Sequence, residues 1–148
     1  MPIALAPPAP PEAQSTTTYR LSTANTSTAA HVLRDLVRAL LKSTGHASLA
    51  QSARLCTSEI VTNVFRHTHA FLVVVDVTVG ENQVSIYVHD DRPRDIPMPR
   101  ELSDAEHGHG LYIVNACADA WGVTYFGGLI PTSKAVWFRL VTGGRGAA

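Results

Sequence analysis

The stretch Leu55-Cys56-Thr57-Ser58-Glu59-Ile60-Val61-Thr62-Asn63-Val64-Phe65-Arg66-His67 decides how this chain is built. Glu59, Asn63 and His67 recur at every fourth position, and a helix returns to nearly the same angle at that step. Ala53, Cys56, Ile60 and Val64 make an apolar stripe on the other side. Length and period favour a helix from about Leu49 to His67, although Val61, Thr62 and Val64 are weak helix formers. One helix therefore separates a core side from a polar working side.

Downstream, Phe71 to Val79 is a β-branched run, followed by Gly80-Glu81-Asn82-Gln83 and then Val84 to Asp90. Two apolar runs across a short polar turn predict an antiparallel hairpin. Residues Asp91 to His107 are polar and punctuated by Pro93, Pro97 and Pro99, so they read as a long loop, either a functional lid or disordered. Leu111 to Ala120 reads as a helix. Trp121 to Phe126 and Ala135 to Val141 read as two closing strands, with Trp121 and Trp137 as core residues.

Upstream, Ser27 or Thr28 serves as N-cap for a helix carrying Val32, Leu33, Leu36, Val37, Leu40 and Leu41 and ending near Gly45. Thr18 to Leu21 fits a short edge strand. Residues 1–16 are rich in Pro and Ala and predict a solvated tail, and residues 143–148 a flexible one. A single domain over 17–142 remains. Grouped helices and hairpin strands give an α+β fold, a two-layer α/β sandwich with a mostly antiparallel sheet covered on one face by helices.

Composition narrows the function. The chain has 148 residues, with 12 Lys plus Arg against 12 Asp plus Glu. No net positive field and no basic helix draw it to nucleic acid. No apolar run is long enough to span a bilayer. The N-terminus lacks the basic and continuous apolar regions of a signal peptide. Cys56 and Cys117 lie among apolar residues and read as buried free thiols, which suits the cytoplasm.

The candidate chemistry lies in four places. A Glu one helical turn from an Asn can activate a hydroxyl, while the Asn offers a neutral oxygen to a hard cation such as Mg²⁺. A polar row of this kind, taken alone, is more often a solvated helix face. Asp90 ends an apolar strand, where a carboxylate either makes a turn or accepts a hydrogen bond from an exocyclic amine such as adenine N6. Its neighbour Asp91 competes for that role. Gly108-His109-Gly110 precedes a helix, where small residues let backbone N–H groups approach an anion, although glycines there also serve as plain loop breakers. Lys134 opens the last strand, either touching phosphate or keeping a strand end soluble. His67-Thr68-His69 and His107-Gly108-His109 match no zinc spacing.

Together these residues resemble the GHKL (Bergerat) ATPase superfamily, and within it the single-domain regulators related to bacterial anti-sigma-factor serine/threonine kinases. Glu59-x-x-x-Asn63-x-x-x-His67 resembles the N-box, and Asp90 falls at the first glycine-box Asp. Gly108-x-Gly110-Leu111 resembles the second glycine box, and Lys134-Ala135-Val136-Trp137 resembles the closing strand.

The resemblance implies ATP and Mg²⁺ as cofactors. Asn63 would ligate the metal, and Asp90 would read adenine. His67, Gly108, His109, Gly110, Leu111 and Lys134 would complete the nucleotide site. Glu59 would be the catalytic base toward a protein serine. A sigma factor or its antagonist protein is the implied partner. The related kinases often dimerise, and nothing in the sequence decides that here.

Arg92 stands where the first glycine box has Gly, and Ala135 where the family has a Thr supporting adenine. Both departures favour a rival reading, a regulator on the same fold that works by protein contact without catalysis.

Overall fold

The structure, a computed structural model, describes residues 15–94 and 109–148. In chain order the elements are β1 (Thr17–Ala24), α1 (Ala29–Ser43), α2 (Ala47–His67), β2 (Leu72–Val79), β3 (Gln83–Asp90), α3 (His109–Cys117), β4 (Ala120–Phe126) and β5 (Ser133–Val141). The strands form one sheet in the order β1-β2-β3-β5-β4, with every neighbouring pair antiparallel. The fold is the expected α+β sandwich. No described helix is long and apolar enough to cross a membrane.

Strict alternation builds the sheet. Val73, Val75, Val77, Val84, Ile86, Val88, Val136, Phe138 and Leu140 are all at most 1% exposed and face the helices. Side chains between them point to the opposite face, as the two-residue period of a strand requires. Leu33, Val37 and Leu41 from α1 and Ala53, Cys56, Ile60 and Val64 from α2 close the core from above. Each fully buried aliphatic side chain contributes roughly 1.5–3 kcal/mol relative to exposure.

The stripe on α1 is narrower than its sequence suggested. Val32 is 50% and Leu36 46% exposed, because they precede the buried Leu33 and Val37 by one residue and so point about 100° away round the helix.

The turn between α1 and α2 is a glycine-dependent stop. Gly45 adopts a positive φ of 82°, and His46 N–H donates to Leu41 O at 2.8 Å. That six-to-one bond marks a Schellman termination, which favours Gly at this point. Gly127, between β4 and β5, is needed for a second reason. Its φ is 108°, and a Cβ there would lie 2.5 Å from Thr132 Oγ1.

The segment from Gly143 onward, for which the sequence suggested flexibility, docks on α2. Ser52 Oγ donates to Gly146 O at 2.7 Å, and Ala148 N–H donates to Ser48 O at 2.9 Å.

The outer face of the sheet carries a polar and aromatic network. Arg20 makes a two-pronged contact with Asp76 at 2.7 and 2.8 Å. His89 Nε2 lies 3.0 Å from Oδ2 of the same carboxylate. Tyr87 stacks between His89 and Trp137. Trp137 is therefore half-buried on this outer face, lying across Gly122, and is not a core residue. Parity explains the difference: Trp137 sits between the inward Val136 and Phe138.

Two stability predictions follow from this packing. Phe138→Ala should cost about 3–5 kcal/mol, read as a lower urea midpoint with an unchanged slope. The hydrogen bond from Arg20 holds the Asp76 carboxyl below its ordinary value, against partial burial. Stability from that contact is present above the ordinary carboxylate range and is lost as pH falls through the lowered folded value. Urea midpoints taken from pH 7 down to pH 3 should fall less steeply for Asp76→Asn than for the wild type.

Candidate functional site

The helix that opens the sequence argument packs against α3, β3 and β5. Along it, Glu59 is half-buried, Asn63 is 7% exposed and His67 is exposed at the last helical position. The row is not uniform, because each four-residue step advances about 40° round the axis. That step brings Asn63 closer to the buried stripe than Glu59, while His67 is exposed as the last residue of the helix. Burial, then neighbouring Cys117 and last Glu59, three residues along the same helix, raise the Cys56 thiol to about 12.

Helix α3 is anchored by buried Leu111 and Val114, and buried Ala118 directly follows it. His109 and Gly110 open it, so their backbone lies in its first turn, where N–H groups have no partner within the helix. Gly108 and residues 95–107 of the expected lid lie outside the described residues.

Asp90 closes β3 on the core side. It is 4% exposed, whereas Asp91 is exposed. Its Oδ1 accepts two hydrogen bonds, from Arg92 N–H at 2.7 Å and from Lys134 Nζ at 3.0 Å. Lys134 Nζ also donates to Arg92 O. Asp90 Oδ2 is buried and has no hydrogen-bond partner among the described residues. Burial pushes the Asp90 carboxyl above its ordinary value, while Arg92 N–H and Lys134 pull it back. An unpartnered buried oxygen costs free energy unless something donates to it. The exocyclic amine of an adenine ring would be such a donor.

Lys134 departs from one of its two expected places. It is 0% exposed, so it does not keep a strand end soluble. It points to the core side directly opposite Asp90 in the β3–β5 register. Alternation along β5 carries the signal that the sequence reading passed over: Lys134 shares parity with Val136, Phe138 and Leu140.

The same alternation bears on Ala135. It pairs with His89 on the outer face, so a hydroxyl there would point away from Asp90. The departure at Arg92 is also mild. No described residue other than Gly has a positive φ, so Arg92 occupies ordinary backbone and its N–H still reaches Asp90.

Two concavities lie on or near the sheet. One of about 260 Å³, lined by Phe71, Leu72, Val74, His89, Asp90, Asp91 and Ser133, touches Asp90 but is built mainly from outer-face side chains. A larger one of about 570 Å³, lined partly by Tyr19, His46 and Glu81, lies at the opposite end of β2 and β3. Among the described residues no group of three or more His, Cys, Asp or Glu side chains could hold a metal ion.

A helical layer over one face of an antiparallel sheet, with a buried carboxylate ending a central strand beside a Glu/Asn helix, defines an ATP-binding domain of the Bergerat class. Residues 21–130 match the family described as Histidine kinase-like ATPase domain. The chain belongs to that family, and ATP is the ligand the family implies. No individually curated protein matches the chain.

The Cys56 thiol, raised to about 12 and buried, should resist Ellman's reagent at pH 8 in the folded protein. Half-buried Cys117 should react first, and the second equivalent should appear only on unfolding. Two equivalents released at one fast rate would contradict this burial.

Proposed function

We propose that this chain is an ATP-dependent protein serine/threonine kinase of the anti-sigma-factor type, cytoplasmic, regulating transcription by exchanging protein partners. One observation carries the reading. Glu59 and the buried Asn63 stand one turn apart on the helix that packs against both α3 and β3, the strand ending in Asp90.

Each residue has a distinct task. Asp90 Oδ2 accepts the exocyclic amine of the base. The Asn63 side-chain carbonyl offers a neutral oxygen to Mg²⁺. The N–H groups at the start of α3 face the phosphate end. Glu59 takes the proton from the hydroxyl of a serine on the antagonist protein. ATP, when bound, supplies the phosphoryl group, and the protein contributes position and electrostatics. His67, exposed at the helix end, stands at the margin of this arrangement. A sigma factor and its antagonist are the partners this reading requires.

Glu59 matters most for telling a kinase from a binder, because holding a nucleotide needs no base. Glu59→Gln should slow phosphoryl transfer to a cognate antagonist roughly 100-fold or more, with Mg-ATP affinity within about threefold of wild type by calorimetry. Asn63→Ala should weaken the Mg²⁺-dependent part of ATP binding. Transfer undiminished in Glu59→Gln removes Glu59 from its role.

Arg92 at the glycine-box position favours a second reading, a nucleotide-sensing regulator without catalysis. Mg-ATP binding with no transfer in the wild type would establish that one instead. No binding heat and no thermal shift would end both.

A further inference from the structure

A lysine with no exposed surface needs a reason. Taking an ammonium out of water costs several kcal/mol even after relaxation. Lys134 meets that cost through Asp90 Oδ1 at 3.0 Å and the carbonyl of Arg92. The side chains of the pair are 0% and 1% exposed.

These contacts form a closed arrangement. Arg92 N–H donates to Asp90 Oδ1, and Arg92 O accepts from Lys134 Nζ. Lys134 and Asp90 therefore hold both polar groups of residue 92 while holding each other. Both bonds to the carboxylate fall on one oxygen, Oδ1. The other, Oδ2, is buried and has no hydrogen-bond partner among the described residues.

We propose that Lys134 is the positioning residue for base recognition: its ammonium fixes the Asp90 carboxylate so that Oδ2 alone is presented to the exocyclic amine of an adenine ring. This rests on the ATP reading given above and adds a residue to it. A carboxylate in such a site must stay ionised to act as a pure acceptor. A protonated carboxyl would turn an O–H toward a donor and lose the match.

Burial pushes Asp90 toward the neutral form, Arg92 N–H and Lys134 oppose it, and exposed Asp91 adds to the push. On α2, packed against β3, the titratable side chains nearest in sequence to Asn63 are Glu59, Arg66 and His67. Lys134 is thus the cation that lets the buried acid remain an acceptor. The sign is fixed: recognition needs the ionised form, so affinity falls as pH drops through the Asp90 pKa. Removing Lys134 moves that fall to higher pH.

The test uses the full chain, with Lys134→Met and Lys134→Gln as variants. Carbon-13 NMR of the Asp90 carboxyl, without nucleotide, should show its titration moved up by about 1–3 pH units in both variants. Mg-ATP binding should follow the same movement, weaker than wild type near pH 6.5 and converging with it toward pH 9. Lys134→Gln keeps a hydrogen-bond donor without the charge, so it carries the test if Lys134→Met fails to fold. The triphosphate of purine riboside, which lacks the 6-amino group, should bind with little dependence on Lys134.

An Asp90 titration identical in wild type and variants overturns the proposal. So does a shifted titration with an unchanged pH profile of ATP affinity, or an equal effect on both nucleotides. If no nucleotide binds any variant or the wild type, the ATP reading fails and base recognition fails with it. The NMR arm then still shows whether Lys134 governs the carboxylate.

Discussion

The covering of one sheet face by helices constrains everything else in this molecule. Once Val73, Val75, Val77, Val84, Ile86 and Val88 are committed to α1 and α2, each strand has one parity for the core and one for the outer face. A shift of one residue would expose the whole apolar set, so the register is held firmly. Functional groups inherit their positions from that register. Asp90 and Lys134 share the core parity and meet at the ends of β3 and β5, while His89 and Ala135, one step away, meet on the other side.

That placement puts a polar site at the edge of an apolar layer. Charges there cannot rely on water, so they must pair or lose ionisation. Asp90 and Lys134 pair, with the Arg92 peptide bound between them, yet the pairing is incomplete. Among the described residues nothing engages the second oxygen of Asp90, which a folded protein rarely tolerates without use. A structural ion pair would gain by satisfying both oxygens. A recognition site gains by keeping one for a ligand.

The outer face follows a different logic. Arg20, Asp76, His89, Tyr87 and Trp137 lie side by side across β1, β2, β3 and β5, joined by charge and ring contacts. These side chains cover the sheet without building a second core. Trp137 fits because Gly122 on β4 has no side chain, and a Cβ there would come within 3.0 Å of the indole. The aromatic content of β5 is divided between two faces, with Phe138 in the core and Trp137 outside.

Much of this was legible in the residues. Helical periodicity located α2 and its buried stripe, β-branched runs located the β2–β3 hairpin, and grouped elements gave the layered fold. Asp90, Glu59 and Asn63 stood out by residue type and spacing, because local periods are written directly in the chain. What could not be read was which side chains face each other across elements. Partners such as Asp90 and Lys134 are 44 positions apart, and no local period links them. The burial of Asn63 and the exposure of His67, Val32 and Leu36 depend on where each helix rests on the sheet. Sequence determined the elements and their apolar faces through local geometry. Tertiary packing alone decided the buried ion pair, because only the β3–β5 register brings that acid and that amine out of water together.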